Sequence, residues 1–334
     1  MKIMITGSTG FIGSHLAEKL LQDGHDLVLL VLNQKEVLKN LAKSNRVTVF
    51  ETKIIGDKNL ASYFTGVKVV YHLAAIRHRW GIKAEDYLKV NTGLTHELLE
   101  ASKKARVKQF IFCSSIAVFG WPKNHPIDET FSYAPNNAYG QSKVECEKLV
   151  KNFCLKNKIY YTIIRPSMTY GERDYTGFVT KFINLIASGK YLTVGSGRNR
   201  IQLVYIDDLI QGFVKALGNP KAYNEDFIVT GEKPITIAEI ENTITEIVGK
   251  KIKKIKTPRL AAYIPAFILE LFYKMGFKLT GPEPIISKEK IDLMTVDRSY
   301  SIDKAKKLLG YKPKMDFKEG IKEVYLWNKK HDLV

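Results

Sequence analysis

Cysteine is scarce in this chain, three among 334 residues. Cys113, Cys146 and Cys154 make neither an even set nor a pair separated by two residues. That pattern excludes a disulfide framework and a thiolate zinc site and points to a reducing compartment. Acid is also in short supply: 34 Asp and Glu face 52 Lys and Arg, a formal charge of +18. The cations are spread along the chain with one modest cluster at 250–256, so nucleic acid is not indicated. A solvated basic surface is the first reading, with an anionic ligand or an acidic membrane surface as alternatives. No apolar run is long enough to span a bilayer, because the densest, within 259–277, is interrupted by Pro265, Glu270 and Lys274. That segment is expected to pack on the core or line an apolar substrate pocket, a monotopic membrane contact being the lesser alternative. The opening residues, Met1 to Thr6, lack the apolar stretch and cleavage site of a secretory signal, so a cytoplasmic location is expected. His78 has no metal-ligating partner at suitable spacing.

What is present is rhythm. Short continuous apolar runs at 28–32, 47–50, 67–73, 110–113 and 159–164 read as strands buried on both faces, since they do not alternate with polar residues. Between them, 11–22, 86–105 and 138–156 carry apolar residues at helical spacing. The fold class is therefore α/β, a Rossmann-type doubly wound parallel sheet with a smaller C-terminal lobe. Residues 1–188 are expected to form the Rossmann-type domain. From Gly189 onward the alternation breaks, and 189–334, with helices at 237–248 and 317–330, is read as the smaller lobe, some elements crossing between the two.

The first strand runs into Gly7-Ser8-Thr9-Gly10-Phe11-Ile12-Gly13 and then a helix. Gly7 permits a tight turn, Gly10 lets backbone approach a pyrophosphate, Gly13 lets helix and strand pack closely, and the helix N-terminus offers N–H groups to phosphate. A residue at the end of the second strand should read the adenosine ribose. Val31, Leu32 and Asn33 stand there without an acid, and Lys35 and Lys39 follow, which leaves NAD or NADP with a slight edge to NADP.

Tyr139 and Lys143 lie at i and i+4 on the face of one predicted helix. A phenol near pKa ~10 is a poor base at neutral pH, but an ammonium beside it favours the phenolate, which can then exchange a proton with an alcohol or ketone. Ser114 and Ser115 end the strand 110–113, at the edge where such sheets bind ligands. Ser115 can orient the reacting oxygen. Asn91, on the preceding helix, is positioned to brace the site.

These residues resemble the extended short-chain dehydrogenase/reductases, the NAD-dependent epimerase/dehydratase family. The resemblance extends over nearly the whole chain and includes residues 6–13, His72-Leu73-Ala74-Ala75, Asn91, Ser114-Ser115, Val118-Phe119-Gly120, the Tyr139 to Lys143 motif, Arg165-Pro166 and Tyr170-Gly171. It implies Ser115, Tyr139 and Lys143 as the catalytic triad. It also implies a dinucleotide held by Gly7, Thr9, Gly10, Phe11, Ile12, Asn33, Leu73, Ala74, Ala75, Asn91, Ser114, Tyr139, Lys143, Arg165 and Pro166. It makes 1–188 the dinucleotide-binding domain and 189–334 the substrate lobe, and a homodimer is the assembly it suggests.

Trp80-Gly81 ahead of Tyr87, the 195–208 segment and the tail at 295–298 and 309–313 look like the 3β-hydroxysteroid dehydrogenase-like branch. That branch implies a dehydrogenase acting on a sterol-like or other 3-hydroxy/3-oxo substrate. Nucleotide-sugar epimerases share the Arg200 region, where a guanidinium suits a diphosphate, and a nucleotide sugar would also use residues 173–175. Arg77, Trp80, Arg200 and Ser115 are the candidate substrate residues. Ser115 is followed by Ile116-Ala117 and not by the acid pair of sugar dehydratases, which disfavours dehydration. The family's adenine-contacting acid after the third strand has no clear counterpart, since Asp57 comes several residues late. A dinucleotide-binding sensor or scaffold is the non-enzyme alternative, against which the intact triad argues.

Overall fold

The computed structural model describes residues 1–53, 55–77, 80–189, 191, 193, 195–250, 257–277 and 283–334. The strands are β1 (Lys2–Thr6), β2 (Asp26–Val31), β3 (Val47–Glu51), β4 (Val69–His72), β5 (Gln109–Cys113), β6 (Tyr160–Pro166), β7 (Met168–Tyr170), β8 (Arg200–Ile201), β9 (Leu203–Tyr205), β10 (Glu225–Val229) and β11 (Ile235–Thr236). The helices are α1 (Phe11–Gln22), the single turns α2 (Lys39–Ala42) and α3 (Ala84–Tyr87), α4 (Gly93–Lys104), α5 (Ala138–Lys156), α6 (Phe178–Ala187), α7 (Ile206–Ala216), α8 (Ile237–Val248), α9 (Arg259–Lys274), α10 (Lys288–Thr295) and α11 (Phe317–Lys330).

Seven strands form one parallel sheet in the order β10-β6-β5-β4-β1-β2-β3. The order reverses at β1, whose neighbours are β2 and β4. Ligands bind such sheets at the carboxyl ends of the strands flanking the reversal. Side chains leave a strand on alternate faces, so each continuous apolar run feeds two cores. Ile3, Ile5, Leu27 and Leu29 pack with Leu16 and Leu20 of α1 and Leu209 and Phe213 of α7. Met4, Val28, Leu30, Val70, Phe110 and Phe112 pack with Leu98 and Leu99 of α4 and Cys146 and Val150 of α5. Burying one such side chain contributes ~1.5–3 kcal/mol.

Two details depart from the periodicity. The helix expected over 86–105 is present and runs without interruption from Ala84 to Lys104, but it contains a π-helical turn at Leu88–Thr92 between α3 and α4. A π turn inserts one extra residue per turn and re-aims the side chains on it. In addition, β10 comes from the C-terminal half and pairs with β6 at the sheet edge.

No helix among the described residues is long and apolar enough to cross a membrane.

Candidate active site

The glycine turn is shaped by steric necessity at two positions. Gly7 has φ +75°, and a Cβ on it would sit 2.8 Å from the Ala74 amide nitrogen. A Cβ on Gly13 would lie 2.1 Å from the Gly7 carbonyl oxygen. Only hydrogen fits at either place, so α1 packs hard against the end of β1. Gly10 caps α1 without a side-chain hydrogen bond, which leaves the first amides of the helix for a ligand. Above them opens a cleft of about 540 Å³ lined by Gly7, Thr9, Gly10, Phe11, Ile12, Leu73, Ala74, Ala75 and Arg77 among the expected residues. The size and the bare helix end fit a dinucleotide.

His72 does not line this cleft. It is buried between Thr6, whose Oγ1 is 2.8 Å from Nδ1, and Thr95, whose Oγ1 is 2.9 Å from Nε2. Burial holds its pKa down to about 3, so it is a neutral strut. The Thr6 hydroxyl also accepts from the Ala74 amide at 3.2 Å, which ties the β4 loop to the glycine turn.

At the β2 end of the cleft, Leu32 lines the wall, whereas Asn33 turns away. Its Oδ1 accepts from the Lys35 amide at 3.0 Å to cap a short turn, and its Nδ2 donates to Glu36 at 3.4 Å. Glu51 at the end of β3 accepts from the Gln34 amide at 3.2 Å. Asp57, several residues late in the sequence, is nevertheless on the wall. The Thr52 hydroxyl and the Asn59 amide donate to it at 2.6 and 2.8 Å, bonds that favour the charged form. Glu97 of α4, which the sequence reading missed, lies beside it and accepts from the Gly56 amide at 2.9 and 3.0 Å. The loop after β3 thus carries its acid back to the cleft, a path that residue counting could not foresee.

Tyr139, Lys143 and Ser115 converge at the carboxyl end of β5. Asn137 starts α5 by accepting the Gly140 amide at 2.8 Å, which places Tyr139 in the first turn. A Cβ on Gly140 would lie 2.5 Å from the Ala117 carbonyl oxygen. Glycine there lets the start of α5 close onto the Ser115–Ala117 turn, where the Ser115 hydroxyl accepts from the Ala117 amide at 3.1 Å and lies near enough to the Tyr139 phenol to favour its ionised form. Burial pushes the phenol up, while Lys143, Ser115 and Arg77 each pull it down. The Lys143 Nζ is buried 5.9 Å from the Tyr139 ring centre and donates to the Cys113 carbonyl at 2.8 Å. Cys113 and Arg77 both line the cleft, joining the trio to it. Tyr87 packs edge-on against Tyr139 at 6.2 Å.

Asn91 sits in the π-helical turn. Its Oδ1 accepts from the Ile76 amide at 2.8 Å, and its Nδ2 donates to the Ser142 hydroxyl at 3.0 Å. Ser142 in turn donates to the Tyr139 carbonyl at 2.8 Å. Asn91 therefore links the loop after β4 to the helix that carries Tyr139, and its polar atoms are turned onto protein.

Several expected residues lie elsewhere. The Arg165 side chain is buried in an ion-pair network, with Nε 3.0 Å and Nη2 2.7 Å from Glu147 and Nη2 2.6 Å from Asp226. Ser114 donates to the same Glu147 carboxylate at 2.5 Å. Neither lines the cleft; both support the structure beneath it, because a buried guanidinium needs its carboxylates. Pro166 is paired in the sheet with Val229. Arg200 is exposed on β8 and tied by its backbone to Asp297 and Arg298. Trp80 packs edge-on against Tyr273 of α9 at 6.3 Å, at the side of the cleft. Residues 259–277 do not line this cleft, and most of their large apolar side chains face solvent. His78 and the 251–256 part of the lysine cluster lie outside the described residues, and among the described residues no group of His, Cys, Asp or Glu could hold a metal.

Arg173, in the left-handed region at φ +67°, pairs with Glu18 of α1 at 2.6 Å. With Asp174, Tyr175 and Thr176 it forms the facing wall, and Arg77 reaches across to Thr176 at 2.7 Å. The model of the NAD dependent epimerase/dehydratase family matches residues 3–230. The chain belongs to this family. It is 29% identical over 332 residues to a UDP-glucose 4-epimerase of Vibrio cholerae, covering 96% of this chain and 93% of that one. It is 26% identical over 336 residues to a 3-beta-hydroxysteroid dehydrogenase of Mycolicibacterium neoaurum, covering 96% and 90%. A UDP-glucuronic acid 4-epimerase from Bacillus cereus in complex with NAD superposes with a TM-score of 0.80 at 26% identity over 99% of both chains. The family is one of NAD-dependent enzymes, which sets aside the scaffold alternative.

Proposed function

We propose that this enzyme interconverts a secondary alcohol and a ketone, with Tyr139 as acid/base, Lys143 as its electrostatic support and Ser115 orienting the reacting oxygen. The observation that carries the reading is the convergence of these three side chains beside a dinucleotide-sized cleft. Residues 1–188 hold the dinucleotide and 189–334 form the substrate lobe, with β10 and α7 crossing back. Gly7, Gly10 and the α1 amides hold the pyrophosphate, and Leu73 to Ala75 line its path. Bound there, the nicotinamide supplies the hydride acceptor or donor. In oxidation, Ser115 holds the substrate hydroxyl, the Tyr139 phenolate takes its proton, and the buried Lys143 charge stabilises that phenolate.

We assign NAD rather than NADP. The similar UDP-glucuronic acid 4-epimerase structure holds NAD, and Glu36 and Glu51, which hydrogen-bond Asn33 and the Gln34 amide just beyond β2, put acids near the strand end that reads the ribose and disfavour a 2′-phosphate. NAD thus takes the place of the NADP expected from Val31, Leu32 and Asn33.

A second reading, a nucleotide-sugar epimerase, is favoured by Arg77 and Arg173 on the cleft wall, cations suited to a diphosphate. Incubation with NAD and a 3-hydroxysteroid, or with a UDP-hexose, separates the two. Release of reduced cofactor from the steroid supports the dehydrogenase; inversion of the sugar without net redox change replaces it with the epimerase. In either case Tyr139→Phe should lower turnover about 10²- to 10⁴-fold and leave NAD binding intact. Near-full turnover in that variant refutes the assigned chemistry.

A further inference from the structure

Helix α9 is packed inside out. Its small residues Ala262 and Ala266 face the protein and pack with Ile291 of α10, and Tyr273 is buried against Trp80. Its large residues Leu260, Ile264, Phe267, Ile268, Leu271 and Met275 face solvent, Leu260 at 80% exposure and Phe267 at 68%. Their spacing of three and four places them on one stripe. A contiguous apolar stripe of this kind marks an interaction surface, since single exposed apolar residues are ordinary but a row of them is not.

Charge says what covers it. In the sequence, Lys250, Lys251, Lys253, Lys254 and Lys256 precede the helix, Lys274 is its last residue and Lys278 follows. The helix itself holds one acid, Glu270, which is turned to the protein and accepts the Lys288 amide at 2.7 Å. The whole chain carries +18. An apolar stripe on a helix whose only acid is engaged by the protein, with Lys274 exposed at its end and a lysine-rich sequence around it, matches an anionic lipid surface: the stripe enters the headgroup–acyl boundary and Lys274 meets the headgroups. At sixteen residues α9 is about 24 Å long and too short to span.

We propose that α9 docks this enzyme in the plane of an anionic membrane through the stripe from Leu260 to Met275. Tyr273, on the inner side of the same helix, contacts Trp80 in the loop that also carries Arg77 of the cleft wall.

The test is flotation of the purified full chain with vesicles of phosphatidylcholine containing phosphatidylglycerol, at low and at high salt. The wild type should float with the anionic vesicles, and less so as salt rises, and remain behind with pure phosphatidylcholine. Ile264→Glu with Phe267→Glu should lower the bound fraction by at least about tenfold. Both positions are exposed, and unchanged thermal melting and NAD binding would verify that the variant is folded. Tyr139→Phe should float like the wild type, so failure of the assigned chemistry leaves this result untouched. The proposal is overturned if the wild type does not float, or if the double variant floats equally well. It is also overturned if light scattering finds a dimer that the double substitution dissociates without lipid, because the stripe then covers a second copy.

Discussion

Lys143→Met is the substitution whose effect the structure sizes most directly. The Lys143 Nζ lies 5.9 Å from the Tyr139 ring centre and is buried. At an effective dielectric constant of about 20, a unit charge at that distance favours the phenolate by ~2.8 kcal/mol, equivalent to ~2 pKa units. Removing the charge leaves burial, which pushes the phenol up, opposed only by Ser115 and Arg77. In the oxidation direction the base form is the active one, so the rise of log kcat/KM with pH should move about two units to higher pH. At pH 7 this corresponds to about a hundredfold loss. The assay is a pH series at saturating NAD, which removes any loss of cofactor affinity from the comparison. Methionine fills similar space but leaves the Cys113 carbonyl without the donor now 2.8 Å away, so thermal melting should accompany the kinetics. If the limb stays within about half a unit while the rate falls equally at all pH values, Lys143 does not tune Tyr139 and the electrostatic account fails.

Gly140→Ala puts a methyl 2.5 Å from the Ala117 carbonyl, so the start of α5 must shift; turnover should drop at least about tenfold with NAD affinity nearly unchanged. Unaltered turnover would show that the close approach of α5 does not set the Ser115–Tyr139 geometry. Glu147→Ala deprives the buried Arg165 of one of its two carboxylates and Ser114 and Tyr133 of their acceptor, and should cost ~3–5 kcal/mol in chemical denaturation. A loss below about 1 kcal/mol would mean that Asp226 alone compensates. His72 has a folded pKa of about 3 against 6.5 for the free group. The unfolded chain therefore binds the extra proton between these values, and stability should fall with decreasing pH by up to ~1.4 kcal/mol per unit over that window. His72→Phe should flatten this slope in pH-dependent denaturation, and an unchanged slope would assign it to other groups.

The glycine turn was legible because its demands are local: Gly7 and Gly13 are fixed by backbone atoms within one strand–turn–helix unit. Tyr139 and Lys143 were legible for the same reason, since helical geometry alone places i and i+4 side by side. Other parts depended on long-range packing. Asp57 reaches the cleft only because the loop after β3 bends back towards it. Arg165 appears in the sequence as a possible cofactor ligand, yet Glu147 and Asp226, from an adjoining helix and strand, claim its guanidinium. The π-helical turn that aims Asn91 at both Ile76 and Ser142 leaves no mark in the apolar periodicity. Helix α9 shows the division most clearly. Its sequence sets a dense apolar helix too short to span a bilayer, because length and composition are properties of the segment alone. Which face meets the protein was decided by α10, against which the small residues Ala262 and Ala266 pack, leaving the large ones to the outside. Local rules specify which residues are neighbours along an element; only the three-dimensional packing specifies what each face of that element is turned towards.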